Sequence, residues 1–405
     1  MDKRVVVTGM GIISPLGVGL NENWQGMINP KDVIKPIKNF DTTHMRSSMV
    51  GVADTFIPTN YFSNNFSELP RASQFSIFCV DEALKQAKVD SNIINKYSID
   101  VVVGTTMGEM QVIEDSVEKY VNKECASISE NAVKKYPSNN ITNNILSFFN
   151  FNGSGILIPS ACAAGNYAIG YAYDLIKCGR RDMVVAGGVD PISKIAFIGF
   201  NKLMACSPDK CSPFSLNRKG MIVSEGAGFL ILENIDSAKR RNVSILAEIL
   251  GYGVSNDGYK STIPHPEGKG GILAIEKALK NSNVSKENID YISAHGTGTV
   301  ENDRVETIIS KEIFGKKAYS IPISSIKSII GHTMGACSAI ETIASIKMIN
   351  EKILIPTINY TEKDPLCDLD YVPNTPRKYD VKIILNNSYA FGGNNSSLII
   401  GEYNG

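Results

Sequence analysis

The chain has 405 residues, of which 43% are hydrophobic and 20% are charged, a balance typical of a folded globular protein and not of a disordered one. This length exceeds the size at which a single hydrophobic core stops growing, so we expect two core units. The 41 Lys and Arg residues balance the 41 Asp and Glu residues, which excludes a global charge that would attract nucleic acid or anionic lipid.

The first predicted element is a buried strand that begins at Val5 and reaches about Gly9. Its apolar run is too short and too interrupted for a signal peptide or a membrane span, so we predict a cytoplasmic protein without membrane insertion. A dinucleotide fingerprint is excluded because Ser14 stands where the third glycine belongs. Eight cysteines without paired spacing predict free thiols, and we expect neither a metal nor a cofactor.

The next informative segment is 158–165, which reads IPSACAAG. It predicts a strand that ends near Pro159 and a helix of small residues that begins at about Cys162. A thiol at a helix N-terminus meets the positive end of the helix dipole and free N–H groups, which lower its pKa and can stabilise an oxyanion. Cys162 is therefore either a nucleophile or a buried structural thiol, and the residues alone leave both readings open.

Two of the four histidines lie in glycine-rich turns, where α/β proteins place catalytic groups. His295 begins the sequence HGTGT after a predicted strand, and His332 lies within GHTMG before a predicted helix. Each histidine alone could simply cap its turn through a hydrogen bond. The occurrence of both histidines in such turns favours a shared catalytic site.

Two further features accompany these histidines. Lys327 lies at the end of a predicted apolar strand, so it either pairs with a buried carboxylate, for which Glu341 is a candidate, or extends to solvent. Residues 388–395 read SYAFGGNN, which predicts a turn where Gly392 and Gly393 let the backbone approach a ligand.

The chain also contains a faint internal repeat. In segments 83–104 and 278–297, a helix that ends with Ala-Leu-Lys is followed by a strand that opens with Ile-Asp. A small-residue helix and a glycine-rich turn before an apolar strand follow in each half. We infer two α/β halves, 1–245 and 246–405, with buried parallel sheets and sandwiched helices.

Together these motifs resemble the FabF-type (KAS II) β-ketoacyl-acyl carrier protein synthases of the thiolase superfamily, along essentially the whole chain. The resemblance rests on VVVTGMG at 5–11, SACA at 160–163, HGTGT at 295–299 with Asp303 and Glu306, KS at 327–328 before GH at 331–332, CDLDYVP at 367–373 and FGG at 391–393. It implies a thiolase-like five-layered αβαβα sandwich built from two duplicated halves. It also implies an acyl carrier protein as partner and a homodimer, with a heterodimer as the alternative.

The resemblance implies a decarboxylative Claisen condensation in fatty acid or polyketide-type biosynthesis. Cys162 would carry the acyl chain, while His295 and His332 would donate hydrogen bonds to the malonyl thioester oxygen as enolate charge develops. Backbone N–H groups of Cys162 and Phe391 would form the other oxyanion hole, with Phe391 as a gate. Lys327 would be a further catalytic residue that, with Glu341, holds the electrostatics and orients its loop. Supporting roles would fall to Glu341, Asp303 and Glu306, and substrate binding to Thr297, Thr299, Met107, Phe197, Gly392 and Gly393.

The sequence departs from the family pattern at three places. Around residues 69–73, only Arg71 remains of the several basic residues with which family members often bind the acidic carrier. Met221 stands where a phenylalanine is usual, and Asn166 with Tyr167 follows the nucleophile motif. These departures favour a specialised acyl pathway and a different extender pocket.

Four alternatives share this fold. A thiolase would need a second catalytic cysteine where His332 stands, and the Cys–Asn–His arrangement of CoA-primed synthases fits poorly for the same reason. A non-elongating partner subunit, similar to a chain-length factor, would typically lack Cys162. A specialised acyltransferase of the same fold stays open.

Overall fold

A computed structural model describes residues 3–62, 64–124 and 130–405. Within these ranges the strands are β1 (Val5–Ser14), β2 (Gly17–Val18), β3 (Ile34–Pro36), β4 (Met49–Gly51), β5 (Asp100–Gly104), β6 (Gly155–Ile158), β7 (Met183–Asp190), β8 (Val223–Ser224), β9 (Gly226–Asn234), β10 (Ala247–Asn256), β11 (Tyr291–Ser293), β12 (Ile323–Ser324), β13 (Ile353–Leu354), β14 (Arg377–Lys378), β15 (Ile383–Tyr389) and β16 (Asn394–Gly401).

The helices of the same ranges are α1 (Leu20–Ile28), α2 (Asn64–Ser67), α3 (Arg71–Gln86), α4 (Ser91–Lys96), α5 (Met110–Val121), α6 (Glu130–Lys135), α7 (Asn140–Phe149), α8 (Ala164–Lys177), α9 (Lys194–Lys202), α10 (Ile235–Arg241), α11 (Lys269–Ser282), α12 (Val300–Phe314), α13 (Lys327–Ile330) and α14 (Cys337–Glu351). None of these described helices combines the length and the apolar character needed to cross a membrane.

The main strands form two five-stranded arrangements with the same topology. The order is β1-β9-β7-β5-β6 in the first half and β10-β16-β15-β11-β12 in the second. In both, the first two pairs are antiparallel and the last two are parallel. Because the strands correspond one by one in chain order, the two halves are duplicates, and the prediction from the internal repeat is confirmed.

Two helices lie between the sheets and create the five layers. Helix α8 contacts β5 and β7 of the first half and β10 and β16 of the second, while α14 contacts β9 and β15. On the outer faces, α3 covers β1 and β9, and α11 covers β10 and β16. Small residues let the central helices approach, since a Cβ added at Gly165 would lie 2.7 Å from the Ala339 nitrogen. The predicted αβαβα sandwich is confirmed.

We propose that the boundary between the two halves divides the chain into residues 1–245 and 246–405, as predicted from the sequence. The proposed boundary falls just before β10, the first strand of the second half. Strands β1 and β10 pair across it through Val5–Val7 and Ala247–Ile249. The halves are therefore joined by a short antiparallel ladder as well as by the central helices.

Candidate active site

Cys162 lies in a 3₁₀ turn, Ala161–Ala163, that joins β6 to α8. Ala161 has a φ of 50°, in the left-handed region that residues with a side chain rarely adopt. The duplicated turn before α14, Met334–Ala336, contains the same feature, with a φ of 51° at Met334. Such backbone strain is common at functional sites, and it recurs here where each central helix begins.

One cavity of about 470 Å³ brings the predicted chemical groups together. Its walls include Cys162 and both predicted imidazoles, whose ring centroids are 5.4 Å apart at an interplanar angle of 83°. Thr297, Thr299, Phe391 and Gly393 also line it. Within the described ranges, no three His, Cys, Asp or Glu side chains are grouped so that they could hold a metal ion.

Both imidazoles are neutral in this cavity. Burial lowers the pKa of His295 and of His332 well below 6.5, and the nearby Lys327 ammonium lowers both further. His332 Nδ1 accepts a hydrogen bond from the Met334 N–H at 3.1 Å, so the proton of the neutral ring resides on Nε2. A neutral ring with a fixed N–H can donate to an oxygen on which negative charge develops.

The Cys162 thiol is less acidic than the sequence predicted. Burial raises its pKa to about 12, although Lys327 and the N–H groups of Cys162 and Phe391 favour the thiolate. The expected lowering of the pKa is therefore wrong for this buried thiol, because desolvation of the thiolate outweighs the helix terminus. The two N–H groups are nonetheless directed at the sulfur, where an oxyanion would need them.

Lys327 does not extend to solvent. It is the first residue of helix α13 and does not lie at the end of a strand, as the sequence had predicted. Its ammonium forms an ion pair with Glu341, and each of the two side chains is 1% exposed. Burial opposes the charged lysine, but the ion pair and hydrogen bond with the Glu341 carboxylate help to raise the pKa of Lys327 above its usual value. A fixed positive charge therefore lies close to both imidazoles and the nucleophile.

Two buried carboxylates on α12 hold the HGTGT turn. Glu306 accepts hydrogen bonds from the N–H groups of His295 and Gly296 at 2.7 and 2.8 Å, and burial raises its pKa to about 8. Asp303 accepts from the Gly298 N–H at 3.2 Å and lies 3.7 Å from the Arg218 guanidinium. Both residues position the turn and do not line the cavity.

The predicted gate turn covers the thiol. The Phe391 ring contacts the Phe200 ring, with centroids 5.6 Å apart. Gly392 and Gly393 have φ values of 81° and 75°, which explains the glycines at these positions. The Gly392 N–H donates to the Ser261 carbonyl at 2.7 Å, so the turn is attached to the loop between β10 and α11.

The predicted acyl-lining residues Met107 and Phe197 do not line the cavity that contains Cys162. Met107 and Phe197 belong to one apolar cluster, in which Phe197 is fully buried and contacts the Phe40 ring at 5.5 Å. Their role as acyl-chain lining stays a prediction. Thr297 and Thr299 do line the cavity, with hydroxyl oxygens 2.8 Å apart.

Sequence reasoning missed Asp190, which ends β7 and is fully buried. Its carboxylate accepts from the N–H groups of Thr106 and Met107 at 2.8 Å and from that of Gly335 at 2.6 Å. It thereby connects the turn after β5 to the turn that follows His332. An acidic residue at the end of a wholly apolar strand was the signal that could have identified it.

Reasoning from the sequence also missed two residues, Cys337 and Ser388, that fix the backbone carbonyl of Cys162. The Cys337 thiol and the Ser388 hydroxyl both donate to the Cys162 carbonyl, at 3.4 and 3.0 Å. Of the cysteines in the described ranges, Cys162 alone lines the cavity. A second catalytic thiol, which a thiolase requires, is therefore not found among the described residues of this cavity.

Comparisons with known proteins agree with this geometry. The family model "Beta-ketoacyl synthase, N-terminal domain" matches residues 2–238, and "Beta-ketoacyl synthase, C-terminal domain" matches 246–361. "Nodulation protein E" of Rhizobium meliloti is 36% identical over 400 residues, covering 98% of this chain and 99% of the relative. "3-oxoacyl-[acyl-carrier-protein] synthase 2" of Synechocystis is 36% identical over 409 residues, covering 99% and 98%. The solved "ishigamide ketosynthase/chain length factor" has a TM-score of 0.95 at 34% identity and covers 100% of both chains.

Proposed function

The chain belongs to the β-ketoacyl synthase family, and on that basis we propose the part that each residue of its cavity takes in the reaction. It is an acyltransferase-class condensing enzyme of fatty acid or polyketide-type biosynthesis. The observation that supports the residue roles most strongly is that one thiol and two neutral imidazoles line a single cavity.

The first half-reaction loads the acyl chain. The Cys162 sulfur attacks the carbonyl carbon of an acyl-carrier thioester, a new C–S bond forms, and the carrier thiol leaves with the proton that Cys162 loses. The N–H groups of Cys162 and Phe391 would stabilise the tetrahedral oxyanion, since both already point at the sulfur. Loading transfers the acyl group without any redox change.

The second half-reaction forms the carbon–carbon bond. A malonyl-carrier thioester binds, its carboxylate leaves as CO₂, and the electron pair passes to the α-carbon and the thioester oxygen as an enolate. His295 and His332 donate their N–H groups to that oxygen. The α-carbon then attacks the Cys162 thioester, whose C–S bond breaks to release the β-ketoacyl carrier product and the thiolate, which regains a proton. Lys327 would hold both imidazoles neutral through its charge.

The complete protein is expected to convert acyl-carrier and malonyl-carrier thioesters into a β-ketoacyl carrier product and CO₂. Mass spectrometry of the carrier would detect the extended thioester when isotopically labelled malonyl is supplied. Omission of the acyl substrate is the control. The elongating role would be contradicted if Cys162 is loaded but no extended product forms, whether the protein is assayed alone or together with a related subunit. That result would favour a specialised acyltransferase.

We propose an acyl carrier protein as the partner, because the Synechocystis relative is named for that substrate. We also propose that the chain works in the cytoplasm. All seven cysteines of the described ranges are free thiols, which supports a reducing compartment. Cell fractionation would test the cytoplasmic location.

We further propose that the chain forms a homodimer, with a heterodimer as the alternative. Strand β6 is the last strand of its sheet order, and an unpaired strand edge favours pairing with another chain. Helix α5 buries none of its residues and exposes Val117, Tyr120 and Val121 at 52%, 68% and 70%. An open edge and an exposed apolar face support a symmetric interface.

Changing Tyr120 and Val121 together to aspartate is expected to shift the purified protein from dimer to monomer, because two charges would be buried at the interface. Sedimentation velocity would measure the change. Lys119→Asp, on the same exposed helix, is the matched control and should leave the dimer intact. A dimer that survives the double substitution would contradict the assignment of α5, whereas a wild-type monomer that dimerises only with a related subunit would favour the heterodimer.

A further inference from the structure

The mouth of the cavity is surrounded by four exposed apolar side chains, which we call the collar: Leu203, Met204, Ile263 and Val300. All four line the cavity, and their exposed fractions are 52%, 60%, 41% and 54%. They come from three separate segments, namely the end of α9, the loop before α11 and the first residue of α12. Single apolar residues are ordinary on a protein surface, but four around one opening form a patch that marks an interaction site.

Charged groups at the same mouth are largely engaged with the protein itself. The Arg46 guanidinium donates to two backbone carbonyls of the rim at 2.8 and 2.9 Å. The Lys219 ammonium lies 3.3 Å from the Asp209 carboxylate. Lys260 and Glu301 also line the mouth and carry opposite charges. The rim therefore has only a weak excess of positive charge to offer an acidic partner.

The basic residue expected from the family pattern is not available for docking either. Arg71 donates to the Glu225 carboxylate at 3.0 and 2.6 Å, and its guanidinium lies 4.5 Å from the centre of the Phe75 ring. The Glu225 side chain is 1% exposed, so Arg71 is half of an internal ion pair. Arg71 also does not line the cavity that leads to Cys162.

We propose that the collar is the docking surface of the carrier protein, and that apolar contact, not salt bridges, supplies most of the docking affinity. The proposal rests on the proposed function, because a thioester on a flexible arm can reach Cys162 only through this mouth. The protein that bears the arm must then contact the rim. The partner that fits is a small carrier with apolar side chains around the point where its arm is attached.

The test compares two acyl donors, an acyl-carrier thioester and the carrier-free acyl-pantetheine thioester, with intact-mass detection of acyl-Cys162. The double variant Leu203→Ser/Ile263→Ser is expected to lose about tenfold in kcat/KM with the carrier substrate, mainly through KM, since a few apolar anchors usually dominate a small interface. Its loss with acyl-pantetheine should be several times smaller. Loading of the wild-type protein from the carrier should depend only weakly on salt, because screening acts on charges.

The matched control is Leu273→Ser on α11, where the side chain is 43% exposed but does not line the cavity. It should load from both donors at the wild-type rate. Loading of the double variant from acyl-pantetheine also shows that the variant is folded.

Four results would overturn the proposal. If the double variant loses kcat/KM equally with both donors, the collar only lines the channel for the pantetheine arm. If the double variant loses no kcat/KM with the carrier substrate, the collar takes no part in carrier binding. A steep salt dependence, with Lys260→Gln more damaging than the collar variant, would establish electrostatic docking. If neither donor loads the wild-type protein, the proposed function itself fails, and the collar proposal falls with it.

Discussion

Replacing Cys162 by alanine is expected to abolish acyl loading and condensation together. The sulfur is the nucleophile that forms the covalent intermediate, and alanine retains the turn and the N–H groups but leaves no atom to carry the acyl chain. Intact-mass spectrometry after incubation with an acyl-carrier thioester would show one acyl adduct on the wild-type protein and none on the variant.

Two other thiols provide matched controls for this experiment. Cys178 is exposed at the end of α8, so Cys178→Ala removes the one exposed thiol of the described ranges and should not change the adduct. Cys337→Ala removes the thiol that contacts the Cys162 carbonyl and should still permit loading. Acylation that persists in Cys162→Ala would remove Cys162 from its proposed role.

Replacing His295 or His332 by alanine is expected to slow condensation far more than acyl loading. Each ring would supply one hydrogen bond to the developing enolate, and a single donor of this kind is typically worth about 3 kcal/mol, or a hundredfold or more in rate. The rate of product formation from pre-acylated protein and malonyl carrier would measure condensation. The rate of adduct formation would measure loading.

His44→Ala is the matched control, because His44 is exposed and does not line the cavity. Equal losses in both half-reactions for the cavity histidines would contradict their assignment to the enolate. The pH profile gives an independent readout. Since burial and Lys327 hold the pKa of both rings well below 6.5, the condensation rate of the wild-type protein should show no histidine ionisation around pH 6.5.

Local sequence patterns were sufficient for the architecture and for the chemically active groups. The repeat in chain order predicted two halves, and the halves have the same strand order with the same directions. Cys162, His295 and His332 could be selected because each lies in a short turn of small residues next to a predicted strand or helix. Such turns are recognisable locally, since glycine and alanine are required where the backbone bends sharply.

Features that depend on burial were not accessible in this way. The helix terminus alone predicted an acidic Cys162 thiol, but desolvation by the surrounding layers raises its pKa to about 12. The sequence left open whether Lys327 pairs with Glu341 or extends to solvent. Packing decided this by placing both side chains in the interior, where they form an ion pair. Met107 and Phe197 illustrate the same limit, because packing placed both in an apolar cluster and not on the wall of the cavity.

By itself, then, the sequence determined the duplicated α/β halves, the turn that bears Cys162 and the two histidine turns that accompany it. The tertiary structure alone decided that these turns share one cavity and that Arg71 forms an ion pair with Glu225. It also decided that apolar residues of three segments surround the mouth of that cavity. The physical reason is that backbone turns follow from neighbouring residues, whereas charge, desolvation and exposure follow from which distant segments pack together.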